Sequence, residues 1–158
     1  MNEKTKIVEV GGQRWHLRRM TPVDGSYCWQ RLMAAMYRSA AQQPASAAPS
    51  EADEQRVKEA IEKSTPEQRL RTTCGVGFMY LTRDELEFMQ RVSLAVTSRL
   101  EVINGAETPM PAVADSGKFA VPGLEDDPAL VTALTTEALV FNLLPFLAEN
   151  PTTATVGS

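Results

Sequence analysis

Residues 128–149, PALVTALTTEALVFNLLPFLAE, are apolar on nearly every side of a helix. A helix of that kind is buried in a core or faces a partner, because no side of it is suited to water. Asp127-Pro128 opens it. Leu130, Leu134, Ala138, Phe141 and Leu144 form one stripe, and Leu139, Val140, Leu143, Phe146 and Leu147 fill much of the remainder. Pro145 is expected to kink this helix or to end its regular part, since it lacks an amide hydrogen and crowds the preceding turn.

The other helices announce themselves by their caps. Thr21-Pro22 sets a hydroxyl before a proline at the first helical position. The helix it opens runs to about Ala41, with Trp29, Leu32, Met33, Met36 and Tyr37 at helical spacing. Gly25 in its first turn suggests close packing there. Ser50 caps a helix to about Ser64 that is polar on nearly all sides, with Val57 and Ile61 as its apolar pair. Thr65-Pro66-Glu67-Gln68 carries a capping box. Leu70, Cys74, Phe78 and Leu81 follow at helical spacing, while Val76, Phe78 and Tyr80 also alternate as a strand would. Residues 66–81 therefore stay open between the two, with helix the favoured reading. Thr82-Arg83-Asp84-Glu85 is another capping box, and its helix is expected to reach about Val102, ended by Asn104-Gly105.

Strand signals are fewer. Lys6–Val10 and Gln13–Arg18 flank Gly11-Gly12, which is the pattern of a tight hairpin. Val8, Val10, Trp15 and Leu17 are the candidates for its inner face. Residues 112–114 and 118–121 flank Asp115-Ser116-Gly117, either a second short hairpin or a long irregular loop. The expected architecture is mainly α: four to five helices with a small N-terminal β-hairpin and room for a second. Residues 1–149 read as a single helical domain with a flexible linker at about 42–50, AAQQPASAAPS being its low-complexity stretch at 40–50, and 150–158 as a disordered tail.

The formal charge of -4 argues against nucleic acid as the main partner, because phosphate binding needs a cationic surface. Charge is unevenly spread: residues 1–38 hold seven Lys/Arg against three Asp/Glu, and residues 102–158 hold one against seven. Pairing of the two ends within the molecule is the first explanation, and head-to-tail self-association into a homo-oligomer the second. Cys28 and Cys74 read as buried thiols in a reducing cytoplasm. The N-terminus has no signal-peptide character, and no stretch has the roughly 18 unbroken apolar residues of a membrane span.

The chemistry-bearing residues are sparse. His16 is the single histidine and has no evident catalytic or metal-binding company. Gly75-Val76-Gly77 lacks the continuation of a nucleotide-binding loop. Glu125-Asp126-Asp127 could chelate a cation but suits a helix start better. Arg14, Arg18 and Arg19 beside Trp15 form a short basic stretch on an acidic chain. No catalytic, cofactor-binding or metal site is expected. The distinctive feature is apolar helix surface, which suits a core or a groove for a partner helix.

The run from Lys6 to Gly25, KIVEVGGQRWHLRRMTPVDG, resembles the start of tail assembly chaperones of long-tailed bacteriophages. Those open with a short hairpin, a basic-apolar strand such as Leu17-Arg18-Arg19-Met20, and a first helix containing Asp-Gly. The resemblance is specific over about the first 40 residues and architectural beyond them. It implies a non-catalytic protein of the host cell cytoplasm that binds the long helical tape-measure protein, keeps it soluble and helps recruit tail-tube subunits. The expected contact residues are Trp29, Met33 and Met36 with Leu139, Leu143 and Phe146. Two other roles fit the same chain: a tail or head–tail completion protein retained in the virion, and a small helical regulator binding DNA through residues 14–38.

Overall fold

The computed structural model describes residues 3–42 and 50–148. The linker expected at 42–50 lies, apart from its two end residues, outside the described residues, and so does the tail at 150–158.

The first hairpin forms where expected, as β1 (Thr5–Val10) and β2 (Gln13–Arg18). Gly11 and Gly12 have φ of +61° and +76°, the pair of left-handed residues that a type I′ turn requires. A second hairpin replaces the last turns of the helix expected to reach Val102: β3 (Thr97–Ile103) stands in their place, and β4 (Ala106–Pro111) follows it. Its turn is Asn104 (φ +53°) and Gly105 (φ +81°), again type I′. β2 pairs antiparallel with β3, with Trp15 opposite Arg99 and Leu17 opposite Thr97. The result is one four-stranded antiparallel sheet in the order β1-β2-β3-β4.

This overturns the mainly α expectation. With 20% strand and 59% helix among the described residues, the fold is α+β. The helix expected to run from Thr82 to about Val102 breaks at Val96, where β-branched Val96 and Thr97 favour extended backbone. The alternation of Arg99, Leu100, Glu101 and Val102 then has the period of a strand. The hairpin considered around Ser116 shrinks to one isolated bridge, Val113 to Phe119.

Five α-helices are present among the described residues: α1 (Pro22–Ala41), α2 (Glu51–Lys63), α3 (Pro66–Phe78), α4 (Arg83–Ala95) and α5 (Pro128–Ala148). The hydroxyls of Thr21, Ser50, Thr65 and Thr82 each accept a backbone N–H in the first turn, and Thr65 and Thr82 complete capping boxes with Gln68 and Glu85. The Asp127 carboxylate accepts the Leu130 N–H at 3.0 Å and opens α5. Residues 66–78 are thus helical. Gly77 lets α3 lie against α1, since a Cβ there would meet Leu32 Cδ1 at 2.5 Å. Gly25 does not do the same for α1, because a Cβ there would meet nothing within 4 Å.

α5 is the spine. Leu139, Val140 and Leu143 join Cys28 and Leu32 of α1, Leu70 and Cys74 of α3, and Met89 of α4. Val131 and Leu134 pack with Trp15, Leu94, Ala112, Val121 and Leu124 beneath the sheet. Ala138 and Phe141 meet Leu17 between them. In contrast, α2 buries no residue. Its Ser50 N-cap is worth about 1 kcal/mol, and an isolated helix of that length is marginal in water.

Candidate functional site

The apolar surface expected to bind a partner lies where α1 crosses the end of α5. The 29, 33, 36 spacing puts Trp29, Met33 and Met36 along one side of α1. Trp29 stacks on Phe146, with ring centroids 5.2 Å apart and planes 10° from parallel. Trp29, Met33 and Phe146 all pack on the main core and remain half-buried, as does Met36 one turn on. Leu139 and Leu143 lie below them, wholly buried. The six residues therefore split: four form a lip that solvent reaches, and two form its floor. Leu144 and Leu147 extend the lip on the α3 side, where with Thr65, Pro66, Glu67 and Arg69 they line a pocket of about 420 Å³. Their apolarity was plain in the sequence, but not the face they occupy.

A second pocket of about 420 Å³ adjoins the lip through Phe146. Pro22, Gly25 and Ser26 of α1, Arg19 and Met20 before it, and Asn142 and Pro145 of α5 help to line it. Its geometry follows from Pro145. Helix α5 continues through this proline rather than ending there. A proline has no N–H, so the Phe141 carbonyl one turn earlier loses its helical donor. Arg19 supplies a replacement: its guanidinium donates to the Phe141 oxygen and lies over the Phe141 ring, 3.7 Å from the centroid. The Arg19 Nε donates to the Glu3 carbonyl at 2.8 Å. Desolvation lowers the Arg19 pKa, with nearby Glu3 acting the other way. Asn142 fixes the adjoining chain: it accepts the Met20 N–H at 2.8 Å and donates to the Arg18 and Ala138 carbonyls.

The remaining candidates are tied into structure. Burial pushes the Cys28 and Cys74 thiols up to about 12, aided by Asp24 for Cys28 and by Glu137 for Cys74, so both stay protonated and unreactive. His16 sits half-buried on β2 between Ile7 and Ser98. Trp15 is wholly buried, and its indole donates to the Val10 carbonyl at 3.1 Å, so no face is offered for stacking. Arg14 pairs with Glu107, and Arg18 donates to the Ala95 carbonyl at 3.0 Å. Arg14–Glu107 is also the one ion pair, among the described residues, joining the basic first 38 residues to the acidic region from 102 onward. Glu125 and Asp126 are exposed on a 3-10 turn before α5. Among the described residues no three His, Cys, Asp or Glu side chains converge as a metal site would require.

α5 is long and apolar enough to cross a membrane over Pro128–Leu147, with mean hydropathy 1.6, and half of that window is buried in this fold. Comparison with protein families, with curated proteins and with solved structures finds no match to this chain.

Proposed function

We propose that this protein is a non-catalytic tail assembly chaperone that works in the host cell cytoplasm. It binds the long helical tape-measure protein along the α1–α5 lip and helps recruit tail-tube subunits around it. The observation that carries the reading is the stack of Trp29 on Phe146 beside Met33 and Met36: large adaptable side chains, only half-buried, over a floor that is already closed. Thioether and aromatic side chains of this kind accommodate varied apolar partners. The resemblance of residues 6–25 to the chaperone family supplies the partner's identity.

The test is co-expression of the tagged chain with the proteins encoded beside it. The wild type recovers a long, otherwise insoluble helical protein in a soluble complex. The Met36→Glu chain keeps its far-ultraviolet circular dichroism and recovers at least tenfold less, the effect of about 1.4 kcal/mol or more. No soluble complex with any such protein, or undiminished recovery by Met36→Glu, defeats the proposal.

A further inference from the structure

The two edges of the sheet differ in a way that the backbone geometry makes explicit. In each type I′ hairpin the residues flanking the turn exchange backbone hydrogen bonds, and such pairs alternate with non-bonded ones along the ladder. For the first hairpin, Val10 with Gln13 is the closing pair, followed by Val8 with Trp15 and Lys6 with Leu17. The N–H and C=O groups of Thr5, Ile7 and Glu9 therefore point away from β2, toward the open edge. No other hydrogen bond reaches them among the described residues. All three residues are exposed, Ile7 by 48%.

The same count on β4 gives Ala106, Thr108 and Met110 as the residues bonded to β3, opposite Ile103, Glu101 and Arg99. The outward positions are Glu107, Pro109 and Pro111. Two of the three outward donors are thus absent, which is how natural sheets block pairing at an edge. β1 has no proline. Its one lysine, Lys6, is turned away from the edge face and lies 3.6 Å from Glu67 of α3.

We propose that β1 pairs antiparallel with β1 of a second copy of this chain, making a continuous eight-stranded sheet across a two-fold axis. The strand is complementary to itself in one register. With Ile7 opposite Ile7 of the second copy, Thr5 lies opposite Glu9 and Glu9 opposite Thr5. Every outward group of Thr5, Ile7 and Glu9 then finds a partner, giving two hydrogen bonds between the isoleucines and two at each flanking pair. The exposed Ile7 side chains cover one another, a hydroxyl faces each carboxylate, and on the other face Lys6 lies beside Val8. No like charges oppose, which is what a cross-strand pair requires. The contact is isologous, so it closes at a dimer.

Sedimentation equilibrium over a wide concentration range tests this. The wild-type mass rises to twice that of the chain, and Ile7→Lys and Ile7→Pro stay at the monomer mass with unchanged circular dichroism. Ile7→Pro leaves the β1–β2 ladder intact, because the N–H it removes points outward. The register has its own test: directly opposed residues of a hydrogen-bonded pair have Cα atoms about 5.5 Å apart, within disulfide reach. Mild oxidation therefore links Ile7→Cys into a dimer and leaves Thr5→Cys monomeric. A wild type that stays monomeric throughout, or a dimer that survives both Ile7→Lys and Ile7→Pro, overturns the proposal. A dimer cross-linked by Thr5→Cys and not by Ile7→Cys overturns the register.

Discussion

Glu85 joins three parts of the molecule. It closes the capping box of α4 with Thr82, and it takes Arg38 at 2.9 Å and Arg31 at 3.5 Å from α1. Burial opposes its charge, but the backbone donation from Thr82 and the Arg38 guanidinium outweigh it, and its pKa falls below the ordinary 4.5. A lowered folded-state pKa means stabilisation that is complete above the unfolded value and is lost as pH falls through the folded one. Glu85→Gln keeps the box, since glutamine fills that position too, and deletes the charge. Its melting temperature should lie below wild type at neutral pH, with the gap narrowing as the pH falls below about 4.5. A gap independent of pH would mean that the arginines contribute nothing through charge. The Thr82–Glu85 box was legible in the sequence because its partners are three residues apart. The arginines were not, because 47 and 54 residues separate them from Glu85 and only the fold brings them near.

At the scale of elements, helix starts could be read and the β3–β4 hairpin could not. Each helix opens on a local signal, a hydroxyl or carboxylate before the first turn, and local signals survive without tertiary knowledge. Asn104-Gly105 is ambiguous by nature, because left-handed residues end helices and also turn hairpins. The helical spacing of Leu86, Met89, Ser93, Val96 and Leu100 favours the first, and the sheet won because β2 needed a partner for its second edge. The candidate site had the same limit. A segment apolar on all sides announces burial but not direction, so Leu139 and Leu143 were indistinguishable from Phe146 until neighbours were in place. The hairpin reading makes a quantitative demand on its turn. Gly105 has φ +81° and open space where a Cβ would stand, so Gly105→Ala costs only backbone strain, about 1–2 kcal/mol. That loss should appear as a lower urea midpoint with an unchanged slope. A neutral Gly105→Ala would indicate that this turn is not left-handed.

For the whole molecule the question is whether sheet and helices unfold together. Their cores differ: Trp15 belongs to the cluster under the sheet, while Trp29 packs on the helical one. Both clusters draw on α5, through Leu134 in one and Leu139 with Leu143 in the other, and the helix cannot lose one set without releasing the next turn of the other. A bidentate Arg71–Glu137 pair, at 2.8 and 2.9 Å, adds a polar tie between α3 and the middle of α5. One cooperative transition is the expected behaviour. Trp29→Phe leaves Trp15 as the sole tryptophan, so its fluorescence follows the sheet cluster while far-ultraviolet circular dichroism follows mainly the helices. In urea the two curves of this variant should superimpose, with one midpoint and one slope. If Trp15 emission changes first, the sheet is a separable unit and α5 does not couple the halves. If the helical signal goes first, the sheet with the start of α5 holds alone.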